Sequence, residues 1–167
     1  MSFPLAYHLT WTTYGTWLQG DERGWVKKGT AGIQDPDPGR QERCYQLLKT
    51  SPTTLNQQQR LLIQVTIEAH CDHRKWKLHA VNVRSNHIHV VVTAAMDPDS
   101  VMGQFKAWCS RRLNEYEAGL QRSGDPSLAL GANANAQRRW WTQGGWKKWI
   151  NDEDYLLNVI QYVLELQ

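Results

Sequence analysis

Hydrophobic and polar positions along the chain follow two periods, and each period predicts one kind of element. In residues 5–13, Tyr7, Leu9 and Trp11 alternate with polar side chains, which predicts a strand with one buried face. Two further β-rich runs, residues 77–83 and 88–93, are separated by only four residues and predict a hairpin. A fourth, shorter strand is predicted over residues 146–150.

Three other segments predict helices. Residues 55–74 predict a helix whose N-cap is Thr54, with Gln57 completing a capping box. A second helix begins after residues 97–100, and a last helix begins after Asn151 or Asp152. Apolar stripes predict the buried faces of the first two helices: Leu55, Leu62, Val65 and Ala69 in the first, and Met102, Phe105, Cys109, Leu113 and Tyr116 in the second.

Two segments are predicted to be long loops. Residues 14–40 contain six glycines and an Asp-Pro-Asp-Pro run, and residues 119–137 are rich in glycine and alanine. The element order β-α-β-β-α-β-α predicts an antiparallel sheet with two helices on one face and the last helix elsewhere. At 167 residues the chain is expected to form a single domain, residues 1–167.

The composition argues against an integral membrane protein. Hydrophobic residues make up 41% of the chain and the mean hydropathy is −0.61. No apolar run approaches the roughly 20 residues of a membrane-spanning helix, and no signal peptide is visible. The three cysteines, Cys44, Cys71 and Cys109, are far apart and odd in number, which favours a reducing compartment. We therefore expect a cytoplasmic protein.

A net charge of +3 does not by itself identify a nucleic-acid-binding protein. The charge is uneven, however, because residues 138–150 contain no acid and four basic residues: Arg138, Arg139, Lys147 and Lys148. Four of the nine tryptophans lie among them: Trp140, Trp141, Trp146 and Trp149. Such a segment either fills the core or stacks on and holds single-stranded nucleic acid.

The spacing of His87 and His89 is the most informative feature of the sequence. Residues i and i+2 of a strand share a face, so the two imidazoles point the same way while Ile88, Val90 and Val92 face the core. Two such side chains can grip a divalent metal ion and leave its other positions open to substrate oxygens. A plain pair of surface histidines is the alternative interpretation.

Tyr162 lies on the predicted last helix, on the border between its apolar and polar sides. Its direction is close to those of Asn158 and Glu165. The apolar side is formed by Leu156, Val159, Ile160 and Val163. The hydroxyl of Tyr162 could therefore meet a metal-bound substrate, or the residue could be an amphipathic tyrosine of the core.

Two weaker groups of residues have simpler explanations. A zinc cluster of His70, Cys71, His73 and His79 would lack any common zinc-ligand spacing. Lys106, Arg111 and Arg112 on the second helix could contact phosphates, although a solvated helix face is the favoured explanation.

Taken together, these residues resemble the HUH-type single-tyrosine transposases, and among them the REP-associated tyrosine transposases, which are related to small insertion-sequence transposases. The resemblance covers nearly the whole chain. It depends on the run Tyr-His-Leu-Thr-Trp at residues 7–11, the run Asn-His-Ile-His-Val at residues 86–90, the tryptophan-rich segment and the helix that carries Tyr162.

The resemblance implies a ferredoxin-like α+β fold, with the tyrosine on the C-terminal helix, and an enzyme that cuts and rejoins single-stranded DNA at a hairpin of its own mobile or repeated element. His87 and His89 would hold Mg²⁺ or Mn²⁺, and Tyr162 would be the nucleophile that forms a 5′-phosphotyrosine link. The resemblance also implies a bacterial, cytoplasmic monomer or homodimer with no membrane partner. The candidate DNA contacts are Arg138, Arg139, Lys147 and Lys148.

One position departs from the family pattern. The family usually supplies a third metal ligand, an amide side chain one helical turn after the tyrosine, and Leu166 stands at that position. Glu165 is the preferred substitute because a carboxylate suits Mg²⁺, and Gln167 is the second choice.

Three other functions are compatible with parts of the pattern. A domesticated transposase kept only for hairpin binding would form no covalent adduct. An RNA-recognition-type sheet is disfavoured because it would need aromatic residues on its central strands, which residues 88–92 lack. A zinc hydrolase built on His87 and His89 would need a further strong ligand.

Overall fold

The computed structural model of the chain describes residues 2–124 and 138–166, which contain a four-stranded antiparallel sheet. The strands are β1 (Ala6–Thr12), β2 (Lys77–Val83), β3 (His87–Thr93) and β4 (Trp146–Ile150), and their order across the sheet is β2-β3-β1-β4. This order, with helices between β1 and β2 and between β3 and β4, is the ferredoxin-like topology. The predicted fold class is therefore confirmed.

Four helices accompany the sheet in the described part of the chain: α1 (Pro38–Gln46), α2 (Gln57–Arg74), α3 (Pro98–Ser123) and α4 (Glu153–Glu165). α2 and α3 pack together on one face of the sheet, and α4 packs on the other face. No helix within residues 2–124 and 138–166 is long and apolar enough to cross a membrane.

The alternation predicted for β1 sorts its side chains between the two faces. Tyr7, Leu9 and Trp11 are buried in the core beneath α2 and α3, together with Ile88 and Val90 of β3. The opposite face has a smaller core of Ala6, Ala80, Val91, Ile150, Val159 and Val163, the last two from α4. β3 is thus covered on both faces, and its two histidines lie on the α4 side.

The start of α2 lies two residues beyond the predicted N-cap. Asn56 is the N-cap, and the capping box pairs it with Gln59 rather than pairing Thr54 with Gln57. Just before the helix, the Leu55 amide donates to the Ser85 carbonyl of the β2–β3 turn at 2.7 Å, which ties the start of α2 to the sheet. The buried stripe shifts accordingly to Ile63, Ile67, His70 and Cys71, and Val65 and Ala69 are exposed.

The stripe predicted for α3 is confirmed at Met102, Phe105, Cys109 and Leu113, which are buried, whereas its last member, Tyr116, is only partly buried. The helix continues to Ser123 and ends at Gly124, so the first residues of the predicted 119–137 loop are helical. The rest of that predicted loop, residues 125–137, lies outside the described residues.

The prediction of an unbroken loop over residues 14–40 is wrong at its end, where α1 begins. The Asp37 carboxylate caps α1 by accepting from the Arg40 amide, and Pro38 occupies the first turn, where its missing N–H costs nothing. A side chain at Gly20 would collide with the Asp37 carbonyl, and Gly20 has a φ of +96°. The loop therefore turns back against the start of α1, and only glycine fits there.

Candidate functional site

A cavity of about 1200 Å³ lies on the α4 side of the sheet. Its walls come from β1, β3, α4, the loop after β1 and the turn before β4. Three histidines and a tyrosine line it together: His8, His87, His89 and Tyr162. Because these residues come from β1, β3 and α4, only the folded sheet and its last helix bring them together.

The structure places His87 and His89 side by side on β3, with ring centroids 5.0 Å apart. In the β1–β3 register, His87 lies opposite Thr12 and His89 lies opposite Thr10. His89 is only 8% exposed although it faces the cavity, and His87 is half-buried. The pair is therefore not the freely solvated surface pair of the alternative interpretation.

His8 is the third histidine of the site, and the sequence interpretation missed it. Its Nε2 lies 3.2 Å from His89 Nδ1, and its ring centroid lies 6.5 Å from that of Tyr162. The alternation of β1 placed His8 on the polar face, which was the available signal. Its contact with His89 depends on the pairing of β1 with β3, which the pattern of either strand alone does not define.

Within the described residues, hydrogen bonds engage Nδ1 of both β3 histidines. His87 Nδ1 lies 2.7 Å from the Asn86 side-chain oxygen, which only accepts, so Nδ1 carries the proton and Nε2 carries the lone pair. His89 Nδ1 is engaged by Thr10 Oγ1 at 3.0 Å and by His8 Nε2. The outer partners thus fix both rings, as they do in metal sites where a ligand histidine uses its other nitrogen.

Burial keeps these imidazoles neutral at pH 7. Desolvation lowers the pKa of His89 to about 4, with smaller contributions from the charges of His87 and His8. It also lowers the pKa of His8 to about 4, helped by Lys148, and it lowers the pKa of His87. The neutral form is the one in which a histidine can be a metal ligand.

Tyr162 projects from α4 toward the histidines. Its ring centroid lies 6.3 Å from that of His89, and the residue is 55% exposed. The flanking residues Val159 and Val163 are buried against the sheet, which fixes the helix face that Tyr162 occupies. An amphipathic core tyrosine would be largely covered, so the exposure favours the interpretation in which the hydroxyl meets a substrate.

Asn82 ties the end of α4 to the histidine strand. It lies on β2 directly opposite His89, and its Nδ2 donates to the carbonyls of Val163 at 2.9 Å and Leu166 at 2.7 Å. The last carbonyls of a helix have no partners within the helix. The Asn82 side-chain amide is a hydrogen-bond partner for these carbonyls, and it holds the turn that carries Tyr162 next to β3.

The structure does not bring Glu165 into a metal-binding group with the histidines. Glu165 is exposed, and its carboxylate accepts from Gln161 Nε2 at 2.8 Å. Gln167 lies outside the described residues. Within residues 2–124 and 138–166, no group of three or more histidine, cysteine or acidic side chains is placed to hold a metal ion.

The absence of a metal-binding group from the described residues also applies to the candidate zinc ligands His70, Cys71, His73 and His79. His70 pairs with Gln104 at 2.9 Å, and His79 pairs with Thr93 at 2.8 Å. Cys71 is buried in the core, where desolvation raises its pKa to about 12. These residues are hydrogen-bonded or packed separately.

The four basic residues before α4 are dispersed rather than gathered into one patch. Arg138 forms an ion pair with Glu117, and Lys147 forms one with Asp99. The Arg139 guanidinium lies 5.9 Å from the Tyr14 ring centroid. Lys148 lies opposite His8 on the α4 side of the sheet, 4.7 Å from the centroid of the Tyr155 ring that lines the cavity. Lys148 is therefore the best placed of the four.

The tryptophans of this segment differ in burial, since Trp140 lies in the core whereas Trp146 and Trp149 are exposed. Trp140 is buried in the core, and Trp141 Nε1 donates to Ser110 Oγ on α3. Trp146 is 51% exposed and lines the cavity, where its ring meets that of His8 edge-on at 5.1 Å. Lys106 is turned toward the same segment, because its Nζ donates to the carbonyls of Thr142 and Gly144.

The family model described as "Transposase IS200 like" matches residues 46–126, a range that includes His87 and His89 but not Tyr162. This match supports the resemblance to single-tyrosine transposases, related to those of small insertion sequences, that the sequence indicates. No curated protein matches the chain.

Two solved structures are similar to this chain. One is a REP-associated tyrosine transposase bound to a REP hairpin, with 11% identity, a TM-score of 0.49, and coverage of 98% of this chain and 68% of that one. The other is a candidate transposase of Deinococcus radiodurans R1, with 12% identity, a TM-score of 0.45, and coverage of 98% and 92%.

Proposed function

We propose that this chain, which is similar to the IS200-like transposases, cleaves and rejoins single-stranded DNA through a covalent link to Tyr162. One observation carries the proposal: an exposed tyrosine on α4 lies 6.3 Å, between ring centroids, from a buried, neutral histidine of the His87–His89 pair, in one cavity. A nucleophile beside a potential metal grip is the arrangement that phosphoryl transfer requires.

The proposed reaction is a transesterification. The Tyr162 hydroxyl gives up its proton to solvent as its oxygen bonds to the scissile phosphorus, the bond from phosphorus to the 3′ oxygen breaks, and the 3′ oxygen takes up one proton from solvent and leaves as a hydroxyl. The product is a 5′-phosphotyrosine link. Because one phosphodiester replaces another, the bond energy is kept, and attack by a 3′-hydroxyl rejoins the strand without an external energy source.

His87 and His89 fit a divalent ion such as Mn²⁺ or Mg²⁺, since both line the cavity, burial keeps both rings neutral, and the hydrogen bonds given for each ring involve only Nδ1. Imidazole suits the transition metal better. When bound, such an ion neutralises charge on the scissile phosphate. Glu165 stays the proposed third ligand and would have to release Gln161 to serve as one. Thr10 and His8 would hold the ring of His89 while it binds.

The proposed substrate is an unpaired strand next to a hairpin of the element's own DNA. An exposed Trp146 and Lys148 on the cavity side supply an aromatic face and a charge of the kind that single strands bind. The hairpin is the part of the proposal that comes from the resemblance alone.

The proposal is tested by mixing protein, Mn²⁺ and end-labelled single strands from the DNA flanking the gene, and following the label on denaturing gels. We expect an adduct that is lost with EDTA, with Tyr162→Phe and with His87→Ala. Tyr155→Phe is the matched control, because it removes a hydroxyl from the same helix and cavity and should leave the adduct intact. An adduct that survives Tyr162→Phe contradicts the proposal.

A second candidate function is hairpin binding without catalysis. It is favoured by one observation: within the described residues, no three histidine, cysteine or acidic side chains are placed together to hold a metal ion. It predicts that strands bind but that no adduct forms with any divalent ion, and that Tyr162→Phe leaves the affinity unchanged.

A further inference from the structure

One wall of the cavity is formed by the loop after β1, and it presents a flat surface of two stacked side chains. The Arg23 guanidinium lies over the Trp17 ring, 4.4 Å from its centroid, and both residues line the cavity. Trp17 is 42% exposed. We call these two residues the Trp17–Arg23 plate.

Asp21 holds the guanidinium of the plate in a fixed orientation. Arg23 Nε donates to Asp21 Oδ1 and Arg23 Nη2 donates to Asp21 Oδ2, both at 2.7 Å. Nη2 also donates to the Thr16 carbonyl at 2.9 Å. Asp21 is only 4% exposed, and the Arg23 hydrogen bonds lower its pKa, so the carboxylate is ionised at neutral pH. The charge of Arg23 is thereby balanced, which makes it a poor phosphate ligand.

The tryptophan of the plate is also anchored by a hydrogen bond. Trp17 Nε1 donates to the Gly24 carbonyl at 2.9 Å. The next part of the loop is closed by Trp25, whose Nε1 donates to the Asp35 carbonyl at 2.9 Å and whose ring lies under Arg40. An aromatic surface that is held in place while partly exposed loses little conformational entropy when a flat ligand covers it.

We propose that the Trp17–Arg23 plate is a nucleobase subsite, on which one unpaired base beside the scissile phosphate stacks. This inference rests on the proposed function, since it assigns a place to the strand that Tyr162 would cut. An indole and a guanidinium both stack on bases, and stacking tolerates any base because every base has a π-face. Edge recognition of guanine would need a free guanidinium fork, whereas Nε and Nη2 of Arg23 already donate to Asp21 and Thr16.

The test measures equilibrium binding of single-stranded DNA without divalent ions, using one strand in which a single abasic site is moved along the sequence. We expect one position next to the cleavage site at which the abasic site weakens binding about tenfold. Changing the base there should matter much less than removing it. Trp17→Ala should cause a loss of similar size on the intact strand and almost no further loss on the strand abasic at that position, because both changes remove the same contact.

Two variants separate stacking from a general effect on the loop. Trp17→Tyr keeps an aromatic face without the bond to Gly24 and should retain most of the affinity. Trp108→Ala is the matched control: Trp108 is 41% exposed and carries Arg111 4.7 Å above its ring, but it lies on α3 and does not line the cavity. Trp108→Ala should weaken single-strand binding only slightly, and this loss should add to the loss caused by the abasic site.

Strictly additive losses for Trp17→Ala at every abasic position would overturn the inference, as would an affinity unchanged by Trp17→Ala. If Trp17-dependent binding is found but no adduct forms with Mn²⁺, the proposed function fails and the base subsite stands. If an adduct forms but Trp17→Ala changes neither the single-strand affinity nor the loss caused by an abasic site, the base subsite is wrong and the proposed function stands. A wild-type protein that binds no single strand contradicts both.

Discussion

At the scale of single residues, the site depends on the His87–His89 pair of β3 and on the contacts that His8 and Thr10 of β1 make with His89. Strand periodicity alone places His87 and His89 on one face, and the structure puts their rings 5.0 Å apart. The sequence does not reveal the roles of His8 and Thr10, because their contacts with His89 join β1 to β3. Pairing register is a tertiary property that the pattern of either strand leaves open.

His8 should matter through His89 rather than through the substrate. In His8→Ala, His89 Nδ1 loses one of its two partners, and the ring is held less firmly. We expect adduct formation to fall about 10- to 100-fold and to need more Mn²⁺, as is usual when the outer partner of a ligand histidine is removed. Titrating the adduct yield against Mn²⁺ measures this effect.

His79→Ala is the control for His8→Ala. His79 is also a partly buried strand histidine with a neighbouring hydrogen-bond partner, Thr93, but it does not line the cavity. Equal effects of the two variants would show that His8 contributes only to the stability of the sheet.

At the scale of elements, periodicity predicts the strands and the buried face of α3, but it misassigns part of the buried face of α2, where Val65 and Ala69 are exposed. The four strands and the buried stripe of α3 follow the predicted pattern. α1 was missed because none of its residues is buried and it begins in a stretch rich in glycine and proline, so it has no apolar stripe to read. The capping box of α2 was misplaced because two polar pairs of similar spacing, beginning at Thr54 and Asn56, compete for one helix start.

The position of α4 depends on a contact that its own sequence does not contain. Asn82→Ala removes the two hydrogen bonds to the carbonyls at the end of α4, and the turn that carries Tyr162 should fray. We expect the rate of adduct formation to fall about tenfold, because small errors in position are costly in phosphoryl transfer, while single-strand affinity changes little.

Gln161→Ala is the comparison for Asn82→Ala, because it removes only an exposed side-chain contact on α4, the one with Glu165. Its rate should stay near that of the wild type. An Asn82→Ala variant with an unchanged rate would contradict the positioning role assigned to Asn82.

At the scale of the whole molecule, the cavity gathers residues that the sequence keeps far apart. The loop after β1, the two histidine-bearing strands, Trp146 and α4 meet only in the folded chain. The fold also decides which basic residues are paired. Arg138 and Lys147 lie in a segment without acidic residues, but in the structure they form ion pairs with Glu117 and Asp99. A cluster of basic residues in the sequence therefore predicts a DNA-binding surface only if those residues do not form ion pairs with acidic residues elsewhere in the chain.

The neighbouring residues Lys148 and Lys147 allow a test of which basic residues contact the strand. Lys148 lies on the cavity side of the sheet, whereas Lys147 pairs with Asp99 on the other side. Lys148→Ala should weaken single-strand binding and lower the slope of log affinity against log salt by about 1. Lys147→Ala should leave the slope nearly unchanged, and the reverse order would show that the strand does not follow the cavity side.

The central claim is that Tyr162 is the nucleophile, and the most direct measurement identifies the amino acid that becomes linked to DNA. Wild-type protein is incubated with Mn²⁺ and a cleavable single strand, the DNA is trimmed with nuclease, and the tryptic peptide that begins at Trp149 is fragmented in a mass spectrometer. This peptide contains both Tyr155 and Tyr162, so it carries its own internal comparison. We predict a 5′-phosphate-linked nucleotide on Tyr162; the same mass on Tyr155, or on any other residue, would contradict the claim.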